Sequence, residues 1–164
     1  MSASDMVLYA EELGEIQASL ARLQDDSNSK FAILIDRNGQ QLAVVGETDE
    51  LDVTSLASLT AGNVAATEGL AQLIGEPLFS NLFHEGERDN LHISVIGGRV
   101  ILVLAFDERS SLGLVRLRVR QATAPLIHIL DDMEKRTKER RSTETGGSPF
   151  AEITDADIDN LFSE

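Results

Sequence analysis

The chain has 164 residues, 28 of them Asp or Glu against 14 Lys or Arg, giving a formal net charge of −14, with 4% aromatics, no tryptophan and no cysteine. Such a surface lacks the cations and stacking rings that nucleic acid requires, and the missing thiols remove disulfides and thiolate metal sites. The longest apolar run, Val100 to Phe106, is strand-sized, and the Met1-Ser-Ala-Ser-Asp5 start has neither a basic nor an apolar region, so one cytoplasmic domain with a tail and no membrane insertion is expected.

Ser4 or Asp5 can cap a first helix whose stripe is Leu13, Ile16, Leu20 and Leu23, ending in the polar run Gln24 to Ser29. Phe31 to Ile35 and Gln41 to Val45 then read as strands, and Asn38-Gly39 between them is a strong hairpin signal. A long helix follows, capped by Asp52 or Thr54 and stopped near Gly75-Glu-Pro77. Residues 78 to 89 read as a loop. Leu91 to Ile96 and Arg99 to Phe106 read as a second hairpin about Gly97-Gly98, and Leu112 to Arg120, alternating apolar and polar, reads as a fifth strand. A last helix spans 121 to 141, marked by Leu126, Ile129, Leu130 and Met133, before a Gly/Ser/Pro linker at 142–149 and a tail at 150–164. The expected order is α-β-β-α-β-β-β-α. Phe31–Ile35 and Val100–Phe106 are apolar at consecutive positions, as in strands covered on both faces. The fold class is therefore a three-layer α/β/α sandwich around a five-stranded, mostly antiparallel sheet, with the long helix on one side and the first and last helices on the other.

Residues 53 to 67 of the long helix carry no charge. Leu56, Leu59, Asn63, Ala66, Leu70 and Leu73 share one face, expected to serve the chain's own core. Ser58, Ala61, Gly62, Ala65 and Gly69 form a second, small-residue face. Interior glycines cost a helix about 1 kcal/mol each relative to alanine, which suggests close approach by another chain.

Motifs for catalysis are absent. No Gly-x-x-x-x-Gly-Lys-Ser/Thr loop exists, and Gly97-Gly98 joins two strands rather than a strand and a helix, so it reads as a plain turn. His84-Glu85 begins a zinc-helix motif, but position 88 is Arg rather than the second His. His92 and His128 have no metal partner in sequence. No serine sits in a Gly-x-Ser-x-Gly elbow. The chain is expected to have no active site and no metal of its own. Arg116, Arg118 and Arg120 fall on one face of the expected fifth strand; pairing with Asp131 or Glu134, or solvation, is the plain reading, against a docking stripe for an acidic segment. An arginine supplied to a GTPase would suit the loop residue Arg109 better. His84, in a loop, is a candidate for a partner surface.

The tail from Pro149 to Glu164 holds five acids and no base. Thr154 can cap a short helix whose apolar edge is Ile158, Leu161 and Phe162. So short a helix is marginal alone in water, which favours folding on a partner over a solubilising role.

Three stretches, Leu51 to Thr67, Leu82-Phe-His-Glu-Gly86, and Ser148 to Ile153 through Asp159-Asn-Leu-Phe-Ser-Glu164, together with the element order, resemble the Roadblock (dynein light-chain) family, in particular its bacterial gliding-motility regulators that partner a Ras-like GTPase. The resemblance implies a homodimer whose second helices pair and whose sheets join, with one small GTPase seated on the paired helices by two of these chains. Carried onto this sequence, it implies GTPase contacts at Ala61, Ala65, Glu68, Gly69 and Gln72, with Phe150, Ile153, Ile158, Leu161 and Phe162 in the tail. The helix positions facing the second copy would be Ser58, Gly62, Ala65, Ala66 and Gly69. GTPase activation without a donated arginine is implied, as is a tail that can promote nucleotide exchange. GTP and Mg²⁺ would be held by the GTPase, with no cofactor on this chain. A role in cell polarity or gliding motility, with concentration at a cell pole, is implied as well. Two other readings stay open: a non-catalytic scaffold of the same fold, and a small-molecule sensor, which would need a sizeable internal pocket.

Overall fold

Strand β1 (Phe31–Asp36) and strand β5 (Val100–Phe106) are buried along their whole length, and they sit side by side at the middle of a sheet ordered β2-β1-β5-β4-β3. The computed structural model describes residues 10–145. Around these two strands lie β2 (Gln41–Gly46), β4 (Asn90–Ile96) and β3 (Asn81–Glu85), with every neighbour antiparallel. Helix α1 (Ala10–Asp26) and helix α3 (Leu112–Thr145) cover one face, and α2 (Val53–Ile74) the other. The period of two divides the central strands. Leu34, Leu102 and Leu104 pack with Ile16, Leu20, Leu126 and Leu130. Ile33, Ile35, Ile101 and Val103 pack with Ala57, Ala61 and Val64. Each fully buried leucine or isoleucine contributes about 1.5–3 kcal/mol, so both layers are held by burial rather than by surface charge.

The order of elements is the one the sequence predicts, yet two segments exchange roles. Residues 112–120, expected as the fifth strand, are the first turns of α3, and the strand that completes the sheet is β3, inside the stretch expected as a loop. For 112–120 the alternation of Val115, Leu117 and Val119 with arginines imitates a strand. The deciding pattern is longer: Val115, Val119, Leu126, Leu130 and Met133 are buried at helical spacing along one continuous seam. Ser111 starts the helix, its hydroxyl accepting from the amide of Leu114 at 3.2 Å. The helix passes through Pro125 and continues to Thr145, beyond its expected end at 141 and through the first residues of the expected linker. In turn β3, Asn-Leu-Phe-His-Glu, is a mostly exposed edge strand with too few apolar residues to announce itself.

Local signals elsewhere are plain. The Asp36 carboxylate accepts from the amides of Asn38 and Gln40 at 2.8 and 2.9 Å, and Gly39 takes φ +89°, which closes the first hairpin. A Cβ on Gly39 would stand 3.1 Å from the backbone of Ser58, so this turn lies against α2. Asp52, not Thr54, caps α2, accepting from the Ser55 amide at 3.0 Å and lowering its own pKa through the Ser55 hydroxyl and amide. Gly75 ends the helix in the left-handed region at φ +80°. The expected cap of α1 at Ser4 or Asp5 lies outside the described residues.

Candidate functional site

Helix α2 meets the sheet with small side chains. Ala57, Thr60, Ala61, Val64 and Ala71 are its buried residues, and they let the helix sit close on β1 and β5. The larger apolar residues turn outward: Leu59 is 73% exposed, Leu70 58%, Leu73 83% and Ile74 68%. This corrects the expected division of the helix. Of the stripe assigned to the core, Leu56 is half-buried against the α2-side core and Asn63 is half-buried, whereas Leu59, Ala66, Leu70 and Leu73 face out. The reason is geometric. The apolar arc of α2 is too wide to choose a face by hydrophobicity alone, and close helix–sheet packing selects the alanines.

The outer face therefore mixes small and large apolar residues. Ser58, Gly62, Ala65, Ala66, Gly69 and Gln72 are exposed on it together with the three leucines. A Cβ built on Gly62 or on Gly69 meets nothing within 4 Å, so no group among the described residues needs the room those glycines leave. Ala61, at 9% exposure, packs inward on the sheet. Glu68 is half-buried and forms an ion pair with Arg37, which also donates to the Gly98 carbonyl at 3.1 Å. That arginine fastens both hairpin turns to α2. His84, at the end of β3, is exposed and 3.3 Å from the Asn63 amide nitrogen, which places it at the rim of the α2 face. Phe150, Ile153, Ile158, Leu161 and Phe162 lie outside the described residues.

The remaining candidates are dispersed. Arg109 is held by Asp107 at 3.0 Å and approached by Glu47 at 3.6 Å, and its hydrogen bond to Asp107 raises its pKa. Asp131 and Glu134 pair with Arg99, at 2.9 and 3.1 Å, rather than with Arg116, Arg118 or Arg120. Arg118 donates to Gln121, while Arg116 and Arg120 flank a cleft beside His92. His92 is buried, and desolvation together with the Arg116 charge lowers its pKa, keeping the ring neutral. His128 is exposed, 3.6 Å from Asp132. Among the described residues no three His, Asp or Glu side chains gather in a metal-binding group, and no helix is long and apolar enough to cross a membrane. Neither the cleft beside His92 nor the outward turn of the leucines is legible in the sequence, the cleft because it is built from β3 and the start of α3, where the sequence predicts a loop and a strand.

Known proteins share this arrangement. The Roadblock/LC7 domain profile matches residues 15–106. The solved structure of Myxococcus xanthus MglB is similar, with 52% identity over 77% of this chain and 96% of that chain and a TM-score of 0.74. The gliding protein MglB from Thermus thermophilus has 35% identity over 77% of this chain and 96% of that one, with a TM-score of 0.73. An MglB solved in a tetrameric arrangement has 34% identity over 78% of this chain and 96% of that one, with a TM-score of 0.74. No curated protein sequence matches the chain.

Proposed function

The chain belongs to the Roadblock/LC7 family, and on that premise we propose that it is a homodimeric regulator that activates a bacterial Ras-like small GTPase of the MglA type. The observation that carries this reading is the outer face of α2, where Leu59, Leu70 and Leu73 stand in solvent beside two glycines with open space over them. A protein in water seldom leaves so continuous an apolar strip uncovered. In the proposal, two copies pair along this helix through Ser58, Gly62, Ala65, Ala66 and Gly69, and the joined helices seat one GTPase. Ala65, Glu68, Gly69 and Gln72 lie along that platform; Ala61, packed inward, acts by letting α2 sit low on the sheet.

Activation in this reading is conformational. The platform reshapes the GTPase switch region so that the GTPase's own residues meet the attacking water and the γ-phosphate, and the GTPase alone holds GTP and Mg²⁺. The engagement of Arg109 by Asp107 and Glu47 supports a mechanism without a donated arginine. Residues 150–164 supply a second contact through Phe150, Ile153, Ile158, Leu161 and Phe162 and can promote nucleotide exchange. A tethered second contact raises effective concentration, so deleting residues 148–164 should weaken GTPase affinity about tenfold or more while leaving the fold intact by circular dichroism. Cell polarity or gliding motility, with concentration at a cell pole, is the setting this proposal implies.

Single-turnover phosphate release by the cognate GTPase, with and without this protein, tests the reading. A rate increase of about tenfold or more, equivalent to about 1.4 kcal/mol of barrier, is expected. Binding with unchanged turnover would make the chain a non-catalytic scaffold instead, and absence of binding would remove the GTPase from the account.

A further inference from the structure

On the side of the sheet opposite α2, a cavity of about 420 Å³ opens between the start of α3 and strands β4 and β3, lined among others by Arg116, Arg120, His92, Ser94, Asn81 and Ser80. Among the described residues no Asp or Glu lines it, in a chain that carries 28 of them. Arg116 and Arg120 are four residues apart on one helix, so their side chains rise from the same wall. Both are exposed, and the two carboxylates expected to neutralise them, Asp131 and Glu134, are taken by Arg99. Two guanidinium groups side by side, with no carboxylate partner among the described residues, repel each other and favour an anion between them.

His92, on β4, is 1% exposed. The Ser94 hydroxyl donates to the Asn81 carbonyl oxygen at 3.0 Å, so towards His92 Nδ1, at 3.3 Å, it acts as acceptor. Nδ1 then carries the ring proton, and Nε2 is left a buried acceptor with no partner among the described residues. A buried acceptor left unpaired is destabilising until something donates to it. His92 lines the same cleft as Arg116 and Arg120, so cationic donors and an imidazole with an unpaired Nε2 belong to one site.

We propose that this cleft binds a hydrogen-phosphate group, free or as an ester. Its anionic oxygens accept from Arg116 and Arg120, and its one P–OH donates to Nε2 of His92. An ionised carboxylate has acceptors only and would leave Nε2 unpaired, so the phosphate class is favoured over an acidic peptide. The site is on the face away from α2, and its failure would leave the GTPase reading untouched.

The test uses the full-length protein and the imidazole resonances of its three histidines, titrated with inorganic phosphate at ionic strength held constant with chloride. Saturable movement of the His92 ring signals is expected, with His84 and His128 as internal controls for general ion effects. The double variant Arg116→Gln/Arg120→Gln changes two exposed side chains; with its fold verified by circular dichroism, it should weaken phosphate binding about tenfold or more. O-phosphoserine run in parallel separates the sources: tighter binding identifies an ester ligand, and weaker binding identifies free phosphate. The proposal is overturned if His92 does not saturate, if the double variant binds phosphate as the parent does, or if glutarate binds as tightly as phosphate, which would mark a carboxylate site.

Discussion

The two faces of one five-stranded sheet present opposite chemistries. On one, α2 shows solvent a largely apolar surface of leucines, alanines and glycines from Ser58 to Leu73, its one carboxylate, Glu68, being paired with Arg37. On the other, the start of α3 shows two arginines over a buried, half-satisfied histidine. The core beneath is the same on both sides, aliphatic and closely packed, so the difference belongs to what each face meets. An apolar surface gains by area removed from water and is little affected by salt, whereas a cationic cleft gains by charge and is screened by it. Contacts placed on these two faces would be independent of each other, one driven by apolar area and the other by charge.

The largest expected effect comes from placing a charge on the apolar face. Gly62→Arg enters open space and replaces glycine with a better helix former, so the protomer should keep its circular dichroism spectrum. Its affinity for a second copy or for the GTPase should fall by about a hundredfold, near 2.7 kcal/mol, as buried interface charges without partners do. Sedimentation velocity and GTPase titration together check this, and unchanged values in both would break the comparison on its apolar side.

Salt sharpens the contrast. Between about 0.05 M and 0.5 M NaCl, phosphate binding at the cleft should weaken about tenfold, while the α2 contact should change by less than about threefold. Calorimetric titrations at the two salt levels measure both. A strongly salt-dependent α2 contact would mean that Arg37, Glu68 or the tail carboxylates carry it rather than the leucines.

Much of this architecture is legible in the sequence, and the errors have identifiable causes. The central strands announce themselves because Phe31–Ile35 and Val100–Phe106 are apolar without alternation, and the caps of α2 follow from Asp52 and Gly75. The long helix is also legible as a single element from residue 53 to Gly75. Which of its faces looks outward is not, because the alanines and the leucines both satisfy helical spacing, and the choice depends on how closely the helix must approach β1 and β5. Arg116, Arg118 and Arg120 misled for a related reason: over nine residues a strand period and a helix period fit equally well, and only the seam running on to Met133 distinguishes them. The cleft was invisible as a consequence, since it needs His92, Asn81 and the arginines to meet across three elements.

The smallest expected effect is a change of pH dependence. Burial and the Arg116 charge set the His92 pKa below its ordinary 6.5 in the folded protein. Between that lowered value and 6.5 the unfolded chain binds more protons, so stability rises with pH across this window. The contribution is lost as pH falls below 6.5 and is complete above it. His92→Gln should flatten the slope of urea-unfolding stability in that window, and Arg116→Gln should reduce it in part by removing one of the two causes. A parent slope unchanged by His92→Gln would show that the ring is not held neutral by its site.

The central claim, that the outer face of α2 and not the cleft receives the GTPase, has a direct measurement because the chain contains no cysteine. Single cysteines placed at Gln72→Cys on α2 and Arg120→Cys on α3 report local access through their rates of maleimide labelling. With saturating GTP-bound GTPase, labelling at position 72 should slow about tenfold or more while labelling at position 120 holds its rate. Unchanged labelling at 72, or protection that appears only at 120, would contradict the account.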